Sequence, residues 1–259
     1  MSPPIRLSAA RALLPSPGLA PVAPGHAARV GFGDGSIDAP LGGGLLVAAL
    51  HEFYAAREGD EVAAAGLALL LALRCGRPGP LLWLREDRVL RRGRPYGMGV
   101  AALGADPARL LLVQAPDTLA LLRAGAEAVA CTAMAAVIIE PAGRADAIDL
   151  TATRRLGLAA ARSGVLTLLL RTGVPVPSAA HSRWQVAAAA STPLAAQAPG
   201  LSAIDLRLLR HRGGLADVSA RLEWDSDRRC FAPTRSPALS GGPSAPVVDR
   251  ARAATSRAA

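Results

Sequence analysis

Apolar residues in this chain gather into short dense runs separated by turn residues and by longer segments of helical period. Ala48–Tyr54 reads as a first strand. Val62–Arg74 is a continuous apolar helix, and Leu81–Leu84 a strand entered through the Gly76-Arg-Pro-Gly-Pro80 turn. Leu110–Gln114 follows a Gly-Ala-Asp-Pro turn and reads as a strand. Thr118–Met134 has the period of a helix, with Asp117 placed to cap its first turn. Ala136–Ile139 is a strand stopped by Pro141, Leu150–Ser163 a helix with Asp149 or Thr151 near its start, and Val165–Leu170 a strand. Trp184–Val186, Ile204–Arg210 and Ala220–Trp224 read as later strands, the last two flanking Gly213-Gly214, a hairpin signal.

Short strands without polar alternation are buried on both faces. When helices alternate with them, the economical arrangement is a parallel sheet with crossover helices. The expected class is therefore α/β, with a mainly parallel central sheet flanked by helices and antiparallel strands at the C-terminal end. Ligands of such sheets bind beyond the carboxyl ends of the strands. That rule puts 54–62, 85–94, 140–146 and 171–182 on one rim. Residues 1–29 are rich in Pro and Ala and are expected to form a flexible arm, with one short helix around 5–14. Residues 231–259 are rich in Arg, Ser and Pro and are expected to be a disordered tail. Between them, 30–230 forms the domain.

Composition alters this picture in one respect. The chain has 259 residues and a formal charge of +9, and all 29 of its basic residues are arginine, with no lysine. That excludes Schiff-base chemistry and a phosphate-loop lysine. The positive charge suits an acidic partner. Cys75, Cys131 and Cys230 are odd in number and far apart, which fits reduced thiols in a cytoplasm and neither a disulfide framework nor a zinc site. The longest strongly apolar window, Val62–Leu73, is shorter than the roughly 20 residues a membrane span needs. No membrane association is expected.

A phosphate loop would follow the first strand and open the first helix. The segment there is Ala55-Ala-Arg-Glu-Gly-Asp-Glu-Val62. It has one glycine, no lysine and no hydroxyl, and Glu58, Asp60 and Glu61 stand where an anion should be welcomed. Like charges at ~4 Å repel by roughly 4 kcal/mol at an effective dielectric near 20. That is a large share of the roughly 8 kcal/mol behind micromolar affinity. Alternatively, the acids simply favour the helix N-terminus. Either reading disfavours a bound triphosphate, so no cofactor is expected.

Leu41-Gly-Gly-Gly-Leu45 followed by Ala49-Leu-His-Glu-Phe53 resembles the entry to the core of RecA-like recombinases. It resembles more closely their degenerate relatives, the ImuA proteins of SOS mutagenesis. The order that follows also fits. It runs through Leu82-Trp-Leu-Arg-Glu86, Tyr96-Gly97, Leu103-Gly104 and Pro107-Ala-Arg-Leu-Leu-Leu-Val113. It continues with Ala136-Val-Ile-Ile-Glu140, Leu150-Thr-Ala-Thr-Arg-Arg-Leu156, Ser182-Arg-Trp184 and Leu208-Leu-Arg-His-Arg-Gly-Gly214. The resemblance spans about 30–230 and implies a RecA-like core. It puts the phosphate-loop lysine at Glu61, the following hydroxyl at Val62 and the preceding glycine at Asp60, with Ala55 and Gly59 in the same degenerate loop. Glu86 matches the catalytic glutamate, Glu140 stands at the Walker B position, and Arg171 lies near a nucleotide-sensing glutamine. The span from Arg171 to Trp184 is too short for the recombinases' second DNA-binding loop. What the resemblance implies is a non-catalytic adaptor of the damage-induced mutasome. Its partners would be ImuB, a relative of Y-family polymerases, and an error-prone C-family polymerase, with RecA and weakly held DNA as further candidates. A cytoplasmic protein associated with the nucleoid after damage is expected. The alternatives are a SulA-like cell-division inhibitor and a cryptic NTPase or DNA-binding repair protein using Glu86 and Glu140.

Several residues admit both a functional and a structural reading. Arg85, Arg88, Arg91, Arg92 and Arg94 are candidates to grip phosphates or an acidic partner, with Tyr96 to stack on a base. The alternative is a solvated loop. Arg207, Arg210 and Arg212 alternate with aliphatic residues, as on a charged edge strand open to a partner. Glu86 with Glu140 are either a metal-binding pair or relics of the fold. His51 and Glu52 are neighbours in a strand and face opposite sides of the sheet, so His51 is expected to be structural. His26, His181 and His211 lack metal-like spacing, and no metal is expected. Trp83, Trp184 and Trp224 are expected to pack.

Overall fold

The computed structural model describes residues 28–194, 198–215 and 217–233. The expected arm and tail lie outside the described residues, apart from 28–29 and 231–233.

The elements in chain order are β1 (Arg29–Val30), α1 (Gly35–Asp38), β2 (Leu45–Leu46), β3 (Leu50–Ala55) and α2 (Glu61–Arg74). Then come β4 (Leu81–Glu86), a 3₁₀ turn (Asp87–Arg92), α3 (Gly97–Ala102), β5 (Leu110–Ala115), α4 (Thr118–Ala130) and β6 (Ala136–Glu140). The chain continues with α5 (Leu150–Ser163), β7 (Leu166–Arg171), β8 (Ser182–Ala189), β9 (Ser202–His211), β10 (Ser219–Asp225) and β11 (Cys230–Pro233). The protein is α/β. β1 and β2 form a small ribbon, and the other strands form one sheet in the order β11-β10-β9-β8-β3-β7-β6-β4-β5. The run from β8 to β5 is parallel. β9, β10 and β11 extend it antiparallel.

Alternation along each parallel strand builds two cores. On β4, Leu81 and Trp83 face α2, whereas Leu82 and Leu84 face α4 and α5. α2 lies on the first face with Ala64, Leu67, Ala68 and Leu71 buried. α4 and α5 cover the second with Leu121 and Leu156. Both of these helices start where a carboxylate satisfies a first-turn N–H. Asp117 accepts from Ala120 at 2.8 Å and Asp149 from Ala152 at 2.7 Å. α5 stops at Gly164, whose φ of 71° suits a residue without Cβ.

Most predicted elements are present with shifted ends. α4 stops at Ala130 rather than Met134, because residues 131–135 turn to deliver the Ala135 N–H to the Pro80 carbonyl. The run Trp184–Val186 grows into an eight-residue strand because β8 pairs on both sides. Three strands were not marked by the sequence pattern: β1 and β2, which flank the segment up to the triple glycine, and β11 at the start of the expected tail.

The connection from β7 to β8 carries no helix. Both strands are parallel to β3, so residues 172–181 return across the α5 face to the opposite end of the sheet. They are pinned there by the Ala179 N–H on Thr153 Oγ1 at 3.1 Å and by buried Ala180. Of the expected rim segment 171–182, only the beginning lies at the rim.

Candidate functional site at the carboxyl ends of the parallel strands

The loop from β3 to α2 spans only residues 56–60, and its polar groups are turned inward. The Ala56 N–H continues the sheet onto the Val186 carbonyl, and the Asp60 N–H bonds the Arg57 carbonyl. Asp60 is buried, and its Oδ1 accepts the Ala188 N–H from β8 at 3.0 Å. Arg57 lies 3.4 Å from the same carboxylate. Glu61 Oε2 takes the Gly59 N–H at 2.7 Å. A phosphate-binding loop presents N–H groups outward to an anion. Here the Glu61 carboxylate takes the Gly59 N–H, and the carbonyls of Arg57 and Val186 take those of Asp60 and Ala56. Both sequence readings of these acids turn out incomplete, since Asp60 ties the loop to β8.

Glu86 and Glu140 do not form a pair. Glu140 faces α2 and lies under Trp83 and Arg85. Its Oε2 accepts the Trp83 indole N–H at 2.9 Å and Arg85 Nε at 2.7 Å. Glu86 points to the other face and accepts Thr118 Oγ1 at 2.8 Å and the Ala142 N–H at 3.2 Å. The sheet stands between them, so the metal-pair reading is corrected. Among the described residues, no group of three or more His, Cys, Asp or Glu side chains is placed to hold a metal ion.

The arginines separate as well. Arg85 is 7 % exposed and spent on Glu140 and the Gly93 carbonyl, so it cannot reach a phosphate. Arg88 is exposed, 3.6 Å from Glu86. Arg94 and Tyr96 are exposed. Arg91 and Arg92 end the 3₁₀ turn, and their side chains lie outside the described residues. Arg207 and Arg210 are on β9, which is paired on both sides and is not an edge. The hydrogen-bonded edges of the sheet are β5 and β11. Arg210 aligns with Arg183 near the start of β8, and Arg212 follows β9, so they sit at the end of the sheet opposite the rim. β9 is also five strands from β4, about 24 Å across the sheet at the usual strand spacing. The two arginine groups therefore do not form one surface.

A buried charge cluster that the sequence reading did not single out lies on the α5 face. Glu52 is fully buried. Its Oε2 accepts Arg183 Nε at 2.9 Å and Ser178 Oγ at 2.6 Å, and Arg171 NH1 is 3.6 Å from Oε1. Arg171 also donates to the Ile148 carbonyl, and Arg183 to the Val176 carbonyl. Both guanidinium groups lie over the Tyr54 ring, at 5.7 and 5.5 Å, where the ring face attracts the surplus positive charge. Burial, then the Glu52 charge, pushes the Tyr54 phenol pKa up. The available signal was an acid inside an otherwise buried strand, since a buried charge requires partners. Arg171, near the sensing position in the resemblance, is thus an ion-pair partner of Glu52.

On the other face His51 is fully buried and bonded at both ring nitrogens, Nε2 to the Leu46 carbonyl at 2.8 Å and Nδ1 to Ser182 Oγ at 2.7 Å. A carbonyl can only accept, so Nε2 carries the proton and Nδ1 accepts from Ser182. Ser182 in turn accepts the Trp184 indole N–H at 2.8 Å. His181 and His211 continue the row, with ring centroids 5.8 Å and then 4.8 Å apart.

At the rim a cleft of about 410 Å³ opens between α2 and α3, floored by Trp83, Arg85 and Glu140. Trp83, Trp184 and Trp224 are all buried packing residues. The three cysteines are free thiols. No helix among the described residues is long and apolar enough to cross a membrane.

No protein-family model matches this chain, and no curated protein matches it.

Proposed function

We propose that this chain is a RecA-like adaptor in damage-induced mutagenesis, of the ImuA type, that works through protein partners and without nucleotide turnover. The observation that carries the reading is the β3–α2 loop. An α/β sheet with a helix rising directly from its central strand is suited to holding phosphates at that junction. In this chain the junction is shortened, acidic and closed on itself through Asp60 and Glu61. Glu86 and Glu140 are bonded on opposite faces, which disfavours the cryptic NTPase alternative. The ordered motifs from Leu41 to Gly214 support the family, and the partners follow from that resemblance: an ImuB-type polymerase relative and an error-prone C-family polymerase.

Two measurements test this. The full chain should retain an ImuB-type protein at micromolar concentration in a pull-down, and failure to do so defeats the partner assignment. Calorimetry with Mg-ATP should give no heat of binding up to about 100 µM. Saturable binding below that concentration defeats the non-nucleotide reading.

A further inference from the structure

The walls of the α2–α3 cleft are apolar, formed by Val62, Ala65 and Leu69 on one side and Val100 and Leu103 on the other. A volume of about 410 Å³ falls in the usual range for ligand pockets, roughly 300–1,000 Å³. At the floor Arg85 and Glu140 neutralise each other, whereas Glu61 at the α2 lip accepts the Gly59 N–H and keeps its negative charge. The α3 lip differs. Arg94 is exposed and makes no ion pair among the described residues, and Tyr96 beside it is 71 % exposed. At the α2 lip Val62 is 72 % exposed. Among the described residues, the mouth therefore combines bare apolar surface with a positive charge, Arg94, on the α3 lip and a negative one, Glu61, on the α2 lip.

Gly66 sharpens the reading. It lies inside the 14-residue α2 and lines the cleft. Glycine is a poor helix former, second only to proline. It is tolerated inside helices mainly where something approaches closely, and nothing here does. A Cβ on Gly66 would meet no atom within 4 Å outside its own helix turns. On the opposite wall Gly99 also lines the cleft, and a Cβ there would meet only Tyr96 Cδ1 at 3.8 Å. The space is left open without serving internal packing.

We infer that the cleft between α2 and α3 is the docking site for a protein segment that carries one large apolar side chain next to an acidic residue. The side chain enters between Gly66 and Val100, and the carboxylate meets Arg94 at the lip. The inference rests on the adaptor reading only in taking the occupant to be a protein segment. Burial of an apolar anchor in such a pocket, with a charge at its rim, is the usual energetic centre of a peptide interface.

The test uses the full chain and fluorescent peptides with a central Phe flanked by Glu, with the same Phe flanked by Arg, or with Ala in place of Phe between Glu residues. Anisotropy titration should show the Phe–Glu peptide binding at least tenfold tighter than either control. Gly66→Leu, which fills the cleft and favours the helix, should weaken it at least tenfold while the melting temperature holds or rises. Arg94→Glu, an exposed change, should turn the preference toward the Arg-flanked peptide. Equal binding by wild type and Gly66→Leu overturns the proposal, as does indifference to the Phe anchor. Loss of self-association in Gly66→Leu without loss of peptide binding also overturns it, by making a second copy the occupant. An ImuB-type partner captured equally by both forms rejects the cleft and leaves the adaptor reading standing. Peptide selectivity without any such capture does the reverse.

Discussion

Protonating His51 would break the chain of donors that holds it. Its Nδ1 accepts from Ser182, whose oxygen already receives the Trp184 indole, and among the described residues no carboxylate pairs with it. Burial therefore lowers its pKa from 6.5 to about 3, with His181, His211 and Arg29 adding repulsion. Burial also lowers His181 to about 4, and its charged neighbours are His211, Arg212 and Arg29. Groups whose folded pKa lies below the unfolded value bind more protons when unfolded. Their contribution is complete above about pH 6.5 and is lost as pH falls toward their folded values. For His51 alone the loss between pH 7 and pH 4 is roughly 3 kcal/mol. Urea unfolding at the two pH values should show it, and His51→Gln should flatten the slope. Glu52 behaves differently because it is a charge with two cationic partners. Glu52→Ala should cost about 3–5 kcal/mol by leaving Arg171 and Arg183 buried without their anion, read as a lowered denaturation midpoint. The polar character of both residues was visible in the strand sequence. Their partners were not, because Ser178, Ser182 and Arg183 lie more than 120 residues further along the chain.

At the scale of elements, β3 and α2 were legible because a buried strand and an apolar helix each follow from local pattern. The loop between them was legible in composition but not in role. Sequence shows acids where a phosphate loop needs a lysine and a hydroxyl; only the fold shows Asp60 reaching the N–H of Ala188 on β8. Introducing phosphate-loop residues should therefore harm this chain. Asp60→Gly removes the charged acceptor of that part-buried N–H and should destabilise the protein by about 1–3 kcal/mol. Adding Glu61→Lys and Val62→Ser should produce no Mg-ATP binding, since the five-residue loop remains too short to wrap a phosphate. Thermal melting and calorimetry check the two halves. β9 was misread as an edge for a related reason. Alternating Arg and aliphatic residues mark one exposed face, and a strand exposed on one face can still be paired on both sides.

Among the described residues, the arginines of the two candidate groups are spread rather than gathered. Arg85 is internal, and Arg210 and Arg212 sit at the far end of the sheet from Arg88 and Arg94. Phosphate contacts made by so few grouped cations give a shallow salt dependence. A plot of log affinity for single-stranded DNA against log salt should have a slope no steeper than about −2, with roughly −0.7 per neutralised phosphate. A steeper slope would reveal a DNA surface that the described residues do not form. The class of fold was legible because strand and helix signals alternate. The strand order was not, since β3 lies between β7 and β8, both encoded more than a hundred residues later. That placement also governs how the chain is born. His51 must wait 131 residues for Ser182, roughly 7–26 seconds at ordinary rates of synthesis. For most of that interval the apolar β3 and α2 have neither neighbouring strand, since β7 is completed only at Arg171 and β8 begins at Ser182. A nascent chain arrested before β7 should therefore stay protease-sensitive and bound to chaperones, and protection should arrive in one step once β8 has emerged.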